Sequence, residues 1–560
     1  NGNDRLVVEV VAIVTADASN VNGQQMAVNA ELDFVTSTSS VSYTVEVVAP
    51  VVTASITSAY VPAAGSGDAG DIVEFVVTVE HGAGSSGPAY DLNVNDVLGS
   101  YLELIAASVA VGGSGVSHTI VSGDDDGEDL LIDVPTLDVG ETFTVTYRVS
   151  LTDLVGFETP SVTNEASVSW DSASGAGGAA DSASVSTSVT VESTPSVAVD
   201  LGTTSNAETQ QAFHDPSVDD VSIGEQLTFD VTITLDEGTS NVTATFDLPA
   251  GAGQLAVVSS HVVSIGSQIS GSLLGVGPAG VVSDSDGSSD GVDDRVVFTL
   301  GRLVNAGDNV ADAQDTIVLR VVAVVTDDAS NVDGQQMTAS VALDHVTGSQ
   351  SASFDVEVVA PSLTMSKTAA YVSAAASGDA GDAVEYTLTV SHLGNSTSAA
   401  YDLTVMDVMG TYLTLFAASV DQTGGSVSGT VVSGDDDGED LEISIPTLDV
   451  GETVVIVFRS ALTDSVGLET ADVSNNATVS WDSASGAGGR AASLSDVATV
   501  VVERTPAFTM SLNATSNAET QLSYHDPSVD DVSIGELLTF RFTVSLDEGT
   551  HRTEVTGGEE

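Results

Sequence analysis

The chain repeats itself at one fixed spacing. The segment HDPSVDDVSIGE starts at His214 and again at His525, an offset of 311 residues (525 − 214). SGDDDGED at Ser122 returns at Ser433, and WDSASGAGG at Trp170 returns at Trp481, with the same offset. The copies align with no insertion between them. One solenoid turn takes about 20–50 residues, so this period is a duplicated block of whole domains. Such a block builds an array of similar bodies, and it is a poor way to build one active site.

The offset sets the expected domain map. Pro50 answers to Pro361, and Thr194-Pro195 to Thr505-Pro506, each after a strand-like run such as TVEVVAP or TVVVERTP. The expected units are a short one at 50–193, a long one at 194–360 and a second short copy at 361–504. Residues 1–49 match the last part of the long unit, and 505–560 match its first part, with similarity fading after Thr550.

Alternation identifies strands. In ETFTVTYRVSL, Phe143, Val145, Tyr147 and Val149 share one face, with Thr142, Thr144, Thr146 and Arg148 on the other. EQLTFDVTITL does the same with Leu227, Phe229, Val231, Ile233 and Leu235, and similar runs recur at 72–79, 296–300, 317–325, 354–359 and 383–391. Gly, Asp, Ser and Asn separate them, and no sustained 3.6-residue pattern appears. The expected fold class is all-β: tandem immunoglobulin-like antiparallel β-sandwich domains in an extended array. The Cys…Trp…Cys hallmark of true immunoglobulin domains is absent, since the chain has no cysteine.

Composition narrows the function. The 42% apolar fraction suffices for cores, but aromatics are only 5%, so cores are built mainly from Val and Ala. Eighty-one acidic residues against eleven basic ones give a net charge of −70. That surface repels nucleic acid and anionic lipid, and neither is an expected partner. It also repels itself unless cations or salt screen it. Two explanations of the charge stand side by side: bound Ca2+ at defined sites, and adaptation to a saline environment. No run is long and apolar enough to insert into a membrane. Without cysteine there are no disulfides, thiolate metal sites or cysteine nucleophiles. No signal peptide is visible, and Asn1 falls inside a domain, so a natural N-terminus upstream is expected.

The two unit types also resemble each other, and here the chain resembles a known family: the conserved-repeat domains of very large bacterial and archaeal surface proteins. The carrying segments are GDIVEFVVTVE, AYDLNVNDVLGSYLELIAASV, TLDVGETFTVTYRVSL and TNEASVSW in the first short unit. In the second they are GDAVEYTLTVSH, AYDLTVMDVMGTYLTLFAASV, TLDVGETVVIVFRSAL and SNNATVSW. The long unit matches more loosely. The resemblance implies immunoglobulin-like modules in tandem surface display, often in adhesins or envelope proteins.

Several clusters invite a metal. In SDSDGSSDGVDDR, Asp284, Asp286, Asp290, Asp293 and Asp294 precede the strand RVVFTL. Hard Ca2+ takes six to eight oxygens, which alternating Asp and Gly can turn inward, although the spacing departs from an EF-hand loop. The other reading is a solvated acidic hairpin. A second cluster, Asp124, Asp125, Asp126, Glu128 and Asp129, returns as Asp435, Asp436, Asp437, Glu439 and Asp440. Five carboxylates so close repel without a cation, and an exposed acidic turn is the alternative. Acids near unit boundaries, Asp68 and Asp71 (Asp379, Asp382) and Asp215, Asp219 and Asp220 (Asp526, Asp530, Asp531), could share a cation between neighbours or serve as turn caps. His214 and His525 lie in repeated His-Asp pairs, without a second His or Cys to complete a transition-metal site. No nucleophile elbow, phosphate loop or His-Glu-x-x-His motif is present, and no enzyme is expected. Some surface stalks are cross-linked by a Lys–Asn or Lys–Asp amide in each domain. The only lysine is Lys367, and Ile56 holds its place in the first copy, which excludes a scheme with one cross-link per domain.

These readings converge on an extracellular, cell-surface structural region, a Ca2+-stiffened stalk or spacer of an adhesin. The expected partners are neighbouring domains or copies of the same chain. One alternative is a self-assembling filament or sheath subunit, in which the early strands of 505–549 combine with the late strands of 1–49 from a neighbour. Another is a module binding a glycan or cell-surface ligand, against which the low aromatic content argues.

Overall fold

A computed structural model describes the chain except residues 1–4, 63–64, 66, 157–159, 193–194, 206–216, 250–253, 273–281, 288–290, 346–347, 375, 377, 468–470, 487, 504–505, 517–529, 531, 547 and 557–560. Among the described residues, regular structure is strand apart from one 3-10 turn at Ala313–Asp315.

Alternating sequence becomes alternating burial. In Thr142–Leu151, Phe143, Val145, Tyr147, Val149 and Leu151 are buried, and the residues between them face outward or sit at the margin. A strand with one apolar face must lay that face on another sheet, and two-layer sandwiches result. In the first short unit, Val52–Tyr60, Ile72–His81, Thr142–Leu151 and Leu102–Gly112 form one sheet in that order. Ala180–Thr190, Ser161–Asp171, Ala89–Asp96, Leu130–Leu137 and Thr119–Ser122 form the other. The core between them runs from Val52 to Val191. The second short unit has the same two sheets. Leu363–Tyr371, Ala383–His392, Thr453–Leu462 and Leu413–Asp421 make one, and Ala491–Val501, Asp472–Asp482, Ala400–Asp407, Leu441–Leu448 and Thr430–Ser433 the other. Its core runs from Leu363 to Val502.

The long unit has its own core, from Val199 to Val358. Ser196–Thr204, Gln226–Thr234, Thr316–Val325 and Leu255–Ile265 face a larger sheet of Asp219–Ser222, Gly348–Val359, Gln336–His345, Gly238–Asp247, Arg295–Asn305 and Ile269–Gly271. Asp219–Ser222 runs parallel to Val356–Val359, a departure from the antiparallel order of the other paired strands described. The flanking segments are hairpins, Gln25–Phe34 with Ser37–Glu46 and Ala507–Thr515 with Leu538–Ser545. Leu32 and Phe540 are exposed there, whereas their counterparts one period away, Leu343 and Phe229, are fully buried.

Candidate functional site

The acidic loops come first, because the sequence points to them. Asp284 lies on a short strand, Val282–Ser285, that pairs with Arg295–Phe298, so the segment is a hairpin. Its carboxylate accepts from Ser260 Oγ at 2.8 Å. Asp286 accepts from Gly291 N at 2.8 Å, and Asp294, which is buried, accepts from Gly287 N at 2.6 Å. Asp293 is exposed, and its carbonyl accepts from Val257 N. Asp290 lies outside the described residues.

The repeated acidic run has a structural task that the charge pattern hides. The strand Leu102–Gly112 slips register against Thr142–Leu151 between Ile105 and Ala110. A slip leaves backbone N–H groups without ladder partners. Asp126 accepts from one of these, Ala106 N, at 2.8 Å, and Asp129 accepts from Leu98 N at 2.9 Å. Glu128 accepts from Gly123 N at 3.0 Å, which holds its carboxyl below the usual glutamate range. The second copy repeats the arrangement: Asp437 on Ala417 N, Asp440 on Met409 N and Glu439 on Gly434 N. Asp124, Asp125, Asp435 and Asp436 are exposed. Asp126, Asp129, Asp437 and Asp440 are exposed too, but each of their carboxylates, like those of Glu128 and Glu439, meets a backbone amide nearby. Among the described residues no group of three or more His, Cys, Asp or Glu side chains gathers where a metal could sit.

The unit boundaries are contacts, not free linkers. Between the first short unit and the long unit, Thr239 N donates to Val155 O at 2.8 Å and Thr239 Oγ1 to Asp153 O at 2.7 Å. Ala69 N donates to Glu237 O at 3.2 Å. One period later, Thr550 N donates to Val466 O, Thr550 Oγ1 to Asp464 O, and Ala380 N to Glu548 O. A 460 Å³ cleft opens at the first of these junctions, lined by Asp68, Asp71, Asp236, Glu237 and Asp315 among others. Its acids are engaged locally: Asp71 accepts from Gly67 N, and Glu237 Oε1 from Asp308 N and Asn309 N. Burial raises the Glu237 carboxyl above the ordinary glutamate range.

The opposite end of the long unit meets the second short unit through another set. Ser483 Oγ donates to Ile223 O at 2.9 Å, and Thr397 Oγ1 to the Asp333 carboxylate. Arg490 is clamped on the long unit by Asp327, Asn331 O and Asp328 O. The loop that carries it is anchored to its own domain by Asp402, whose carboxylate accepts from Gly486 N. Asp402 sits at φ 51, in the left-handed region, as does its counterpart Asp91 at φ 49. His214, Asp215, His525, Asp526 and Asp531 lie outside the described residues. Asp219 and Asp220 begin the parallel strand. His81 and His392, another pair one period apart that the sequence reading passed over, each bridge a serine and a leucine carbonyl within their own domain.

The last cluster is one that sequence reasoning missed. In the first short unit the Asp96 carboxylate, fully buried, accepts from Tyr147 Oη and from Asn164 Nδ2, the latter at 2.8 Å. Burial lifts the Asp96 carboxyl above the usual aspartate range, and burial beside this carboxylate also pushes the Tyr147 phenol up. In the second short unit Lys367, at the position of Ile56, joins the corresponding cluster, its Nζ 2.5 Å from Asp407 Oδ2 with both side chains wholly buried. Asn475 contacts that carboxylate, yet neither its Oδ1 nor its Nδ2 has a hydrogen-bond partner of normal geometry.

No protein-family model matches the chain, and neither does any curated protein sequence. Solved structures similar to it include three from bacterial surface proteins. ACE19, the collagen-binding subdomain of Enterococcus faecalis surface protein ACE, is 14% identical, covering 24% of this chain and 95% of its own, at a TM-score of 0.16. The collagen adhesin CNA from S. aureus is 12% identical over 50% of this chain and 93% of its own, at 0.16. The 35 kDa C-terminal fragment of the major pilin GBS80 of Streptococcus agalactiae is 9% identical over 54% and 91%, at 0.20. At these scores the likeness carries no argument about ligand or role. The sheets and cores described above define the chain as tandem immunoglobulin-like sandwiches.

Proposed function

We propose that the chain is a structural repeat region of an extracellular surface protein, serving as a stalk or spacer. The observation that carries this reading is the recurrence of one hydrogen-bonded junction, Thr239 on Val155 and Thr550 on Val466, at the full period of the repeat. Domains joined by direct backbone contacts limit bending at each joint, and a strongly negative surface keeps such an array solvated and apart from like neighbours. The cores are filled by aliphatic and aromatic packing, and the loop carboxylates tie loops to strands, which supports reading the domains as scaffolds. Stiffness in this reading comes from packing and junction bonds, not from calcium.

The test uses the purified full chain and the cell that makes it. Electron microscopy should show dispersed, elongated particles, and EDTA at moderate salt should leave melting and protease resistance unchanged. Antibody to residues 50–504 should label intact cells. A compact particle, or labelling only after permeabilisation, would overturn the stalk reading. Ordered polymers would favour the filament alternative, and a fall in melting temperature with EDTA would restore a calcium role.

A further inference from the structure

The second short domain buries a lysine, an aspartate and an asparagine together, and we propose that it uses them to form a covalent side-chain amide between Lys367 Nζ and Asn475 Cγ, with Asp407 moving the proton. This inference is independent of where the protein resides.

Three observations carry it. Lys367 occupies an inward position of the strand Leu363–Tyr371, in phase with Leu363, Met365 and Ala369. An ammonium is a costly occupant of such a slot. Its neighbours are the rings of Tyr386 and Phe458, 5.1 and 5.8 Å from Nζ, and the Asp407 carboxylate. The second observation is Asn475, 1% exposed, which lies against the Asp407 carboxylate while neither polar atom of its amide has a hydrogen bond of normal geometry. A primary amide stripped of water on both sides is costly, and that cost falls when Nδ2 departs. The third is the first copy. There Asp96 and Asn164 stand at the same positions, but Tyr147 Oη and Asn164 Nδ2 hydrogen-bond the carboxylate and Ile56 replaces the lysine. The amide nitrogen is held by the carboxylate where no nucleophile exists, and it lacks a hydrogen bond of normal geometry only where one does.

The step balances without a redox partner. Burial lowers the proton affinity of Lys367 and raises that of Asp407, which favours a neutral amine beside a neutral acid. Protonated Asp407 donates to Asn475 Oδ1 and polarises the carbonyl. Nζ attacks Cγ, the Nζ–Cγ bond forms, and Asp407 relays a proton from Nζ to Nδ2. The Cγ–Nδ2 bond breaks and ammonia leaves. The product ties a strand of one sheet to a strand of the other, since Leu363–Tyr371 and Asp472–Asp482 belong to opposite layers.

Intact-mass spectrometry of the full chain tests the proposal directly. The expected mass is that of the sequence less one ammonia, and digestion should release a branched peptide joining the segments around Lys367 and Asn475. Asparagine followed by glycine, as at Asn22-Gly23, can also lose ammonia through a succinimide, so the loss must vanish in Lys367→Ile. That variant installs the residue the first copy already folds around, and circular dichroism checks that it folds. Asp407→Ala should leave amine and amide unjoined. A wild-type mass equal to the sequence, a loss that persists in Lys367→Ile, or a loss of water with a branch at Asp407 would each overturn it.

Discussion

The short domains at 50–193 and 361–504 share strand order, sheet pairing and the loops that cap their bulges, yet they fill one buried position differently. In the first, Phe75 stacks on Tyr147 at 5.6 Å; in the second, Tyr386 stacks on Phe458 at 5.2 Å. The two rings have exchanged their hydroxyl. In the first copy the hydroxyl donates to Asp96 Oδ2, as Asn164 Nδ2 also does. In the second it has moved to the other ring, where it faces Ser460 without a hydrogen bond of normal geometry, and the space beside Asp407 is taken by the Lys367 amine. One backbone therefore holds a hydrogen-bonded triad and, one period later, a reactive one. Ile56 becomes Lys367 and Tyr147 becomes Phe458, and neither change alone would produce the second arrangement. A lysine beside a tyrosine hydroxyl competes for the same carboxylate oxygen, and a phenylalanine without the lysine leaves the carboxylate underserved.

The comparison breaks hardest at Lys367. A covalent link between residues 367 and 475 closes a loop of 108 residues (475 − 367). In the chain-entropy model such a closure removes about 4–5 kcal/mol of unfolded-state freedom. Lys367→Ile should therefore lower the stability of the second short domain by about that amount, read as a downward shift of one calorimetric transition while the others stay in place. Breaking an ordinary buried ion pair would cost about 3–5 kcal/mol as well, so the shift is read beside the intact mass, and a shift without the ammonia loss in the wild type would mean an ion pair alone.

Tyr147 is the next test. Tyr147→Phe copies the second domain's ring, so packing is preserved, but Asp96 loses a hydrogen bond in a fully buried site. The expected cost is about 1–3 kcal/mol, confined to the first domain. Adding Ile56→Lys to that variant places amine, acid and amide as they stand around Asp407. The double variant should lose a second ammonia by intact mass, and a single loss would show that the buried groups alone are insufficient.

Much of this was legible beforehand, and the boundary of legibility is instructive. Strands such as Thr142–Leu151 declare themselves because side chains alternate across a sheet with period two. The same period could have exposed the triad: Lys367 falls in phase with Leu363 and Ala369, and Asn475 with Val473, Ala477 and Val479. The number of lysines excludes one cross-link per domain and is silent on a cross-link in a single domain. The task of the acidic runs is hidden for a different reason. Local charge density at Asp124–Asp129 suggests a cation, but the amides that Asp126 and Asp129 meet lie on a strand and a loop that sequence places elsewhere. A register slip at Ile105 cannot be read from composition, so the demand those carboxylates answer was invisible.

The smallest expected effect lies at the junctions, where the copies differ again. Arg490 reaches Asp327, Asn331 O and Asp328 O across the boundary between the long unit and the second short unit. One period earlier both members of the charged pair are missing, since Ala179 and Ala16 stand at the positions of Arg490 and Asp327. A paired loss of both charges at one junction and their paired presence at the other is what a contact, rather than a solvated surface charge, requires. The Arg490 and Asp327 side chains remain 33% and 57% exposed, so the ion pair itself is worth about 1 kcal/mol or less. Arg490→Ala should leave the melting of each domain nearly unchanged while increasing protease cutting near Ala360–Pro361 and widening the bend between the two units in electron micrographs. Asp327→Ala in the same chain should add little further, because each variant removes the same contact. Additive loosening would show that the arginine works through the carbonyls of Asp328 and Asn331 and that the carboxylate is incidental.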